Sequence, residues 1–272
     1  MAEEENSDHN LHVTDGGGDG RPVVLIHGWP LSGASWSEQV PALKEAGYRA
    51  VSYDRRGFGQ SDPGDSYDYD ALADDLDNVL SDLDLQDATL VGFSMGGGEV
   101  ARYVSRHGED RLHSVVFAAA IPPYLMKSDD NPDGPLDEDA AGGMRKGLED
   151  DRDQFFDDFM TAFFSAGEDL KVDEEQRQEA LALCKRSDEA AALGCMDAFA
   201  TTDFRDDLPK ITVPTLVIHG DADGIVPFEG SGKRTHETVD GSELVVLEGA
   251  PHGCNVSHAG EFNKALLAFL EK

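Results

Sequence analysis

Four short stretches of this chain carry groups that together could run nucleophilic catalysis. The first is Gly92-Phe93-Ser94-Met95-Gly96, a serine framed by glycines between an apolar run and a helix-compatible segment. A serine on such a strand–turn–helix sits in a strained conformation with its hydroxyl exposed. Gly92 and Gly96 remove side chains where strand and helix must pass closely. A serine hydroxyl is a poor nucleophile at neutral pH and needs a base in contact. His252, held between Pro251 and Gly253 in a loop after the last apolar run, can take that proton and return it to a leaving group. An aspartate behind the imidazole would fix its tautomer and stabilise the imidazolium. Two compete for that place, Asp221 and Asp223, in the loop Gly220 to Pro227. Asp223 is preferred because it projects deeper into the loop, toward the histidine. Asp221, directly after Gly220, suits bracing the turn through its own backbone bonds. The fourth stretch is His27-Gly28-Trp29-Pro30. Its Trp29 N–H and the N–H of Met95, at the start of a helix, make two donors for an oxyanion. Trp29, Pro30, Phe93, Val226 and Cys254 are the neighbours expected to wall a substrate pocket. The other histidines have structural readings: His27 and His219 end apolar runs before glycine, His258 starts the last helix, and His9, His12, His107, His113 and His236 sit in surface contexts.

These groups need elements that deliver them to one place. Val23–Ile26, Arg49–Tyr53, Thr89–Val91, Val115–Ala118, Pro214–His219 and Glu243–Leu247 are short apolar, β-branched runs, as expected of buried parallel strands. Leu11–Val13 reads as a short edge strand. Between the runs lie helical patterns: Ser35–Ala46, Tyr69–Leu83 with its stripe Leu72, Leu76, Val79, Leu80 and Leu83, Glu99–Arg106, and Glu261–Leu270. Strand–helix alternation implies an α/β fold with a parallel, doubly wound sheet. In such sheets reactive groups gather at the carboxyl ends of strands, which is where all four stretches fall. The alternation stops from about Tyr124 to Arg205, where Phe155, Phe156, Phe159, Phe163 and Phe164 lie at helical spacing on an acidic segment, followed by helical patterns at Gln178–Cys184 and Ala190–Phe199. The reading is an acidic tail over residues 1–10, a core over 11–121 and 206–272, and a helical cap over 122–205.

Composition narrows the function. With 55 Asp and Glu against 22 Lys and Arg, the chain carries −33 net charges at pH 7. A nucleic-acid partner is not expected, because phosphate binding needs a basic surface. No run of eighteen apolar residues is present, so no membrane span is expected, and the acidic N-terminus lacks the pattern of a signal peptide. A cytoplasmic protein is expected. Acids spread along the whole chain repel one another at low salt, and at molar salt a Debye length of about 3 Å screens most of that repulsion. The acidity therefore reads as adaptation to a salt-rich cytoplasm, as in extreme halophiles. Cys184, Cys195 and Cys254 have no metal-binding spacing, and neither a metal nor another cofactor is expected.

The ordered set His27-Gly28-Trp29-Pro30, Asp54-Arg55-Arg56-Gly57-Phe58-Gly59, Gly92-Phe93-Ser94-Met95-Gly96 running on to Tyr103, Thr202-Asp203-Phe204-Arg205, His219-Gly220-Asp221-Ala222-Asp223 and Ala250-Pro251-His252-Gly253 resembles the α/β-hydrolase family of cofactor-free haloperoxidases and aryl esterases. The resemblance runs from about Leu11 to the C-terminus. It implies the α/β-hydrolase fold, Ser94, Asp223 and His252 as triad, and the Trp29 and Met95 amides as oxyanion hole. It implies small carboxylic esters as substrates, or a carboxylic acid plus hydrogen peroxide in perhydrolysis, where the peracid formed oxidises halide without metal or haem. It also implies assembly into a homo-oligomer. Members with stronger perhydrolase activity tend to carry proline after the Trp, as Pro30 does here. Two departures stand out: a first strand common in the family is lost or replaced by the acidic tail, and Cys254 stands where the family often has an aromatic residue. Dehalogenases and epoxide hydrolases of this architecture use Asp at the elbow, where this chain has Ser94. Lactonases and carbon–carbon bond hydrolases also use Ser and remain alternatives. A non-catalytic ligand-binding protein is opposed by the complete set of catalytic groups.

Overall fold

The computed structural model describes residues 10–272, so the acidic tail expected over residues 1–10 lies outside the described residues except for Asn10. The chain runs β1 (Val13–Asp15), β2 (Pro22–Ile26), α1 (Gln39–Glu45), β3 (Arg49–Tyr53), α2 (Tyr69–Asp82), β4 (Ala88–Phe93), α3 (Met95–His107) and β5 (Leu112–Ala118). Next come α4 (Glu138–Asp150), α5 (Arg152–Phe163), the small hairpin β6 (Ser165–Ala166) and β7 (Asp169–Leu170), α6 (Glu174–Cys184) and α7 (Glu189–Thr201). The chain ends with β8 (Thr215–Gly220), α8 (Gly232–Thr238), β9 (Glu243–Leu247), α9 (Cys254–Ser257) and α10 (Ala259–Leu270).

Seven strands form one sheet in the order β1-β3-β2-β4-β5-β8-β9. All neighbours are parallel except β1, which pairs antiparallel with β3 at the edge. The chain leaves β2 toward one edge and returns to its other side at β4, so the carboxyl ends of β2 and β4 flank the point where strand order reverses. Loops there open a crevice. The runs feeding it are apolar because both sheet faces are covered: every residue of β4 and β8 is buried.

Local sequence explains where helices depart from their apolar patterns. A single helix over Ser35–Ala46 is expected, but the chain makes a 3₁₀ turn at Gly33–Trp36 and restarts as α1 at Gln39. Pro41 is the cause, since its ring excludes the carbonyl four residues earlier and is tolerated only in a helix's first turn. Helix α4 has no counterpart in the apolar pattern, because Gly142, Gly143 and Gly147 dilute it. It is started by Asp137, whose carboxylate accepts from the Ala140 N–H at 2.8 Å. Likewise α6 begins at Glu174, where Asp173 and Gln176 form a reciprocal capping box. The segments α4–α7 lie between β5 and β8 in the chain, and the phenylalanines of α5 pack on Trp29, Phe93 and His252 at the carboxyl ends of the strands. Phe156 and Phe163 are at most 1% exposed, and full burial contributes roughly 1.5–3 kcal/mol for each. Cys184, Cys195 and Cys254 are all free and buried. Among the described residues no helix is long and apolar enough to cross a membrane.

Candidate active site

Ser94 stands between β4 and α3 with φ 54° and ψ −118°, a conformation that costs a non-glycine residue on the order of 1–3 kcal/mol. The neighbouring glycines allow it. A Cβ on Gly92 would lie 2.5 Å from the Gly96 carbonyl oxygen, and one on Gly96 would lie 2.6 Å from the Ile26 carbonyl oxygen. The elbow is pinned by the Ser94 N–H donating to the Ala118 carbonyl at 2.9 Å, and by the Ser94 carbonyl accepting from Gly97 and Ile121.

The loop after β9 brings His252 against this serine, with Nε2 2.9 Å from Ser94 Oγ. The other ring nitrogen, Nδ1, lies 2.7 Å from Asp223 Oδ2. The competing Asp221 points elsewhere: its carboxylate accepts the Gly249 N–H at 2.6 Å and braces the His252 loop from outside. Asp223 is aimed by its own loop, since Oδ1 accepts from the Ile225 and Val226 N–H groups at 2.9 and 2.7 Å. That leaves Oδ2 for the imidazole. Burial opposes the charge on Asp223. Attraction to His252 and hydrogen bonds from His219 and His252 outweigh it and hold the carboxyl well below the usual carboxylate range.

His219 is a participant that its position before a glycine does not disclose. It is fully buried, its Nε2 donates to the Val226 carbonyl at 2.8 Å and lies 3.3 Å from Asp223 Oδ2, and its Nδ1 has no partner among the described residues. The expectation of a satisfied structural histidine is corrected to one that also touches the acid of the triad. The only sequence signal is its i, i+4 spacing to Asp223.

The His27–Pro30 loop lies against the nucleophile. A Cβ on Gly28 would sit 3.0 Å from Ser94 Cβ and 2.8 Å from the Phe93 ring, so only glycine fits there. The backbone of Trp29 is thereby carried to the serine's side, and Met95 opens α3, where first-turn N–H groups have no intrahelical partner. Buried Arg55 ties this loop to the nucleophile's helix. It donates to the His27 carbonyl at 2.6 Å and, through Nε, to Glu99 of α3 at 2.6 Å, while Tyr53 donates to the other Glu99 oxygen at 2.6 Å. Burial pushes the Glu99 carboxyl up, against the pull of Arg55. Hydrogen-bonded contact holds this buried pair together.

Ser94 opens into a cavity of ≈ 380 Å³ with walls that are mostly apolar: Trp29, Ile121, Leu125, Phe155, Phe159, Phe199 and Val226 among them. The single charged group on its lining is Asp158. Trp29 and Val226 are where the sequence expectation puts them, but Pro30, Phe93 and Cys254 do not line this cavity. Pro30 is buried behind Trp29. Phe93 alternates to the other side of its strand's end and packs on the His252 ring at 5.3 Å and on Trp36 at 6.1 Å. Cys254 is fully buried beneath the His252 loop. The departure at Cys254 therefore leaves the cavity wall untouched. The Trp29 indole donates to the Ala192 carbonyl of α7 at 2.9 Å and meets the rings of Phe155, Phe156, Phe159 and Phe199 edge-on. Phe163 meets the His252 ring at 4.9 Å. The aromatic stripe thus both packs and shapes the cavity. Among the described residues no group of three His, Cys, Asp or Glu side chains is placed to hold a metal ion.

Residues 21–259 match the alpha/beta hydrolase fold family. The chain is similar to a non-heme chloroperoxidase, CPO-A1, of Kitasatospora aureofaciens, with 46% identity over 94% of each chain. It is similar to a bifunctional esterase/perhydrolase of Acinetobacter calcoaceticus, with 38% identity over 96% of each. Among solved structures, a bromoperoxidase from Bacillus anthracis superposes with a TM-score of 0.94 at 52% identity, covering 96% of this chain and 95% of that one. With its elbow, its sheet order and these relatives, this chain belongs to the α/β-hydrolase family.

Proposed function

We propose that the protein is a serine hydrolase of small carboxylic esters with perhydrolase side activity, working without a cofactor. The observation that carries this reading is the continuous relay from Ser94 Oγ through His252 to Asp223, opening into an apolar cavity. In the proposed reaction Ser94 Oγ attacks the ester carbonyl as His252 Nε2 takes its proton, and the Trp29 and Met95 N–H groups hold the oxyanion. His252 then protonates the departing alcohol, leaving an acyl-enzyme that water hydrolyses with His252 again as base. Hydrogen peroxide attacking the same acyl-enzyme gives a peracid, which oxidises halide in solution. The names of the chloroperoxidase, bromoperoxidase and esterase/perhydrolase relatives support this second branch. Pro30 would act there by fixing the Trp29 loop.

The proposed setting is a salt-rich cytoplasm, supported by the charge of −33. A homo-oligomer is proposed on the resemblance alone, and sedimentation at molar KCl reads it. Hydrolysis of p-nitrophenyl acetate and butyrate at molar KCl tests the main reading. The wild type should release p-nitrophenol and Ser94→Ala should not; full activity in Ser94→Ala would remove Ser94 as nucleophile. Peroxide with bromide and a halogenation dye tests the perhydrolase branch, which a rate equal to the enzyme-free blank would exclude.

A further inference from the structure

Beside the reaction cavity lies a second one of ≈ 130 Å³, lined by Met126, Leu136, Ala141, Met144, Met196 and Phe199 among others. Leu136, Met144 and Phe199 line both. The partition between the two spaces is therefore made of these three side chains, and they differ in freedom. Leu136 is held by its backbone, which accepts from Lys127 at 2.7 Å and donates to Leu125 at 2.9 Å. Phe199 is buried and packs edge-on against Trp29 at 5.6 Å. Met144 is only half-buried, on α4. An unbranched, half-buried methionine with three rotatable bonds is the member that can swing aside.

We infer that the reaction cavity continues past Met144 into this second space, which serves as a subsite for the distal apolar arm of a longer, uncharged ester. The inference rests on the esterase reading above and names its substrate class. The chemistry of the arm follows from the walls. They are aliphatic, thioether and aromatic, so they take hydrocarbon. The lining of the second space also holds Arg145 and Asp197, ion-paired with each other, with Glu149 3.1 Å from Arg145. The one cation there is already matched by two carboxylates, and Asp158 faces the reaction cavity. An arm ending in a carboxylate has no free partner along this path, whereas a neutral arm meets no penalty.

The test is a chain-length series at molar KCl: p-nitrophenyl butyrate and octanoate for the acyl side, butyl and octyl acetate for the alcohol side. The quantity read is the ratio of kcat/KM for the long member over the short member, which does not depend on the folded fraction of a variant. Ala141 lines the second space and not the reaction cavity. Ala141→Phe should lower that ratio at least about tenfold in one of the two series, because each buried methylene strengthens binding about fourfold. Met144→Ala should raise the same ratio. The series that responds identifies the side of the ester that carries the arm. Ratios unchanged by both variants in both series would overturn the subsite while leaving the esterase reading intact. No hydrolysis of any short ester would overturn the esterase reading itself.

Discussion

The substitution Asp223→Asn follows directly from how the loop holds this side chain. Oδ1 accepts two backbone N–H groups, from Ile225 and Val226, at 2.9 and 2.7 Å. An asparagine keeps those bonds only by placing its oxygen there, which turns its NH₂ toward His252 Nδ1. Nδ1 must then accept, so the imidazole proton moves to Nε2. Nε2, 2.9 Å from Ser94 Oγ, becomes a donor and cannot take the serine's proton. The geometry survives and the base is lost. The expected fall in kcat is about 10⁴-fold, or roughly 5 kcal/mol of barrier. Initial rates on p-nitrophenyl butyrate at molar KCl measure it, with far-UV circular dichroism to show that the fold is retained. Asp221→Asn is the companion variant. Its oxygen can still accept from Gly249, and its rate should stay close to wild type. A folded Asp223→Asn that loses less than about a hundredfold would refute the tautomer argument, and an Asp221→Asn that loses as much as Asp223→Asn would move the acid to the other residue.

Three further outcomes are expected. His219→Leu removes a donor from Asp223 and from the Val226 carbonyl, and should lower kcat about tenfold with little change in KM; His219→Gln, whose amide nitrogen can reach where Nε2 stands, should restore most of it. Arg55→Met leaves Glu99 buried without its cation, with only Tyr53 still donating to it, and should cost about 3–5 kcal/mol of unfolding free energy, read from denaturant midpoints at constant high salt, and the double change Arg55→Met with Glu99→Leu should recover part of that loss. Raising KCl from about 0.1 M to 1 M shortens the Debye length from about 10 to 3 Å, so the thermal midpoint should climb. A midpoint that is flat or falls with KCl would remove the salt-adaptation reading.

Part of the site is legible in the sequence because its signals are local. A glycine on each side of Ser94 with an apolar run before it encodes a strand, an elbow and a helix start within a dozen residues. The β-branched runs of β2, β4 and β8 encode burial on both faces, hence a parallel sheet, hence loops gathered at one edge. Residue order along the chain then supplies a base and two candidate acids. Helix α4 was not legible, since its glycines dilute the pattern and its start depends on the Asp137 cap.

What the sequence determined by itself is therefore the chemistry: a serine at an elbow, a histidine on a free loop, and acidic residues within reach, in an α/β frame. The tertiary structure decided which groups share a bond. It put Asp223 rather than Asp221 on His252, because two backbone amides aim that carboxylate, and it brought His219 to the same oxygen. It turned Phe93 behind the histidine, set Pro30 and Cys254 behind the cavity wall, and built that wall from β5's loop, α4, α5, α7 and the Gly220–Pro227 loop. A cavity lies between segments far apart in the chain, so its shape depends on packing angles that no local pattern carries.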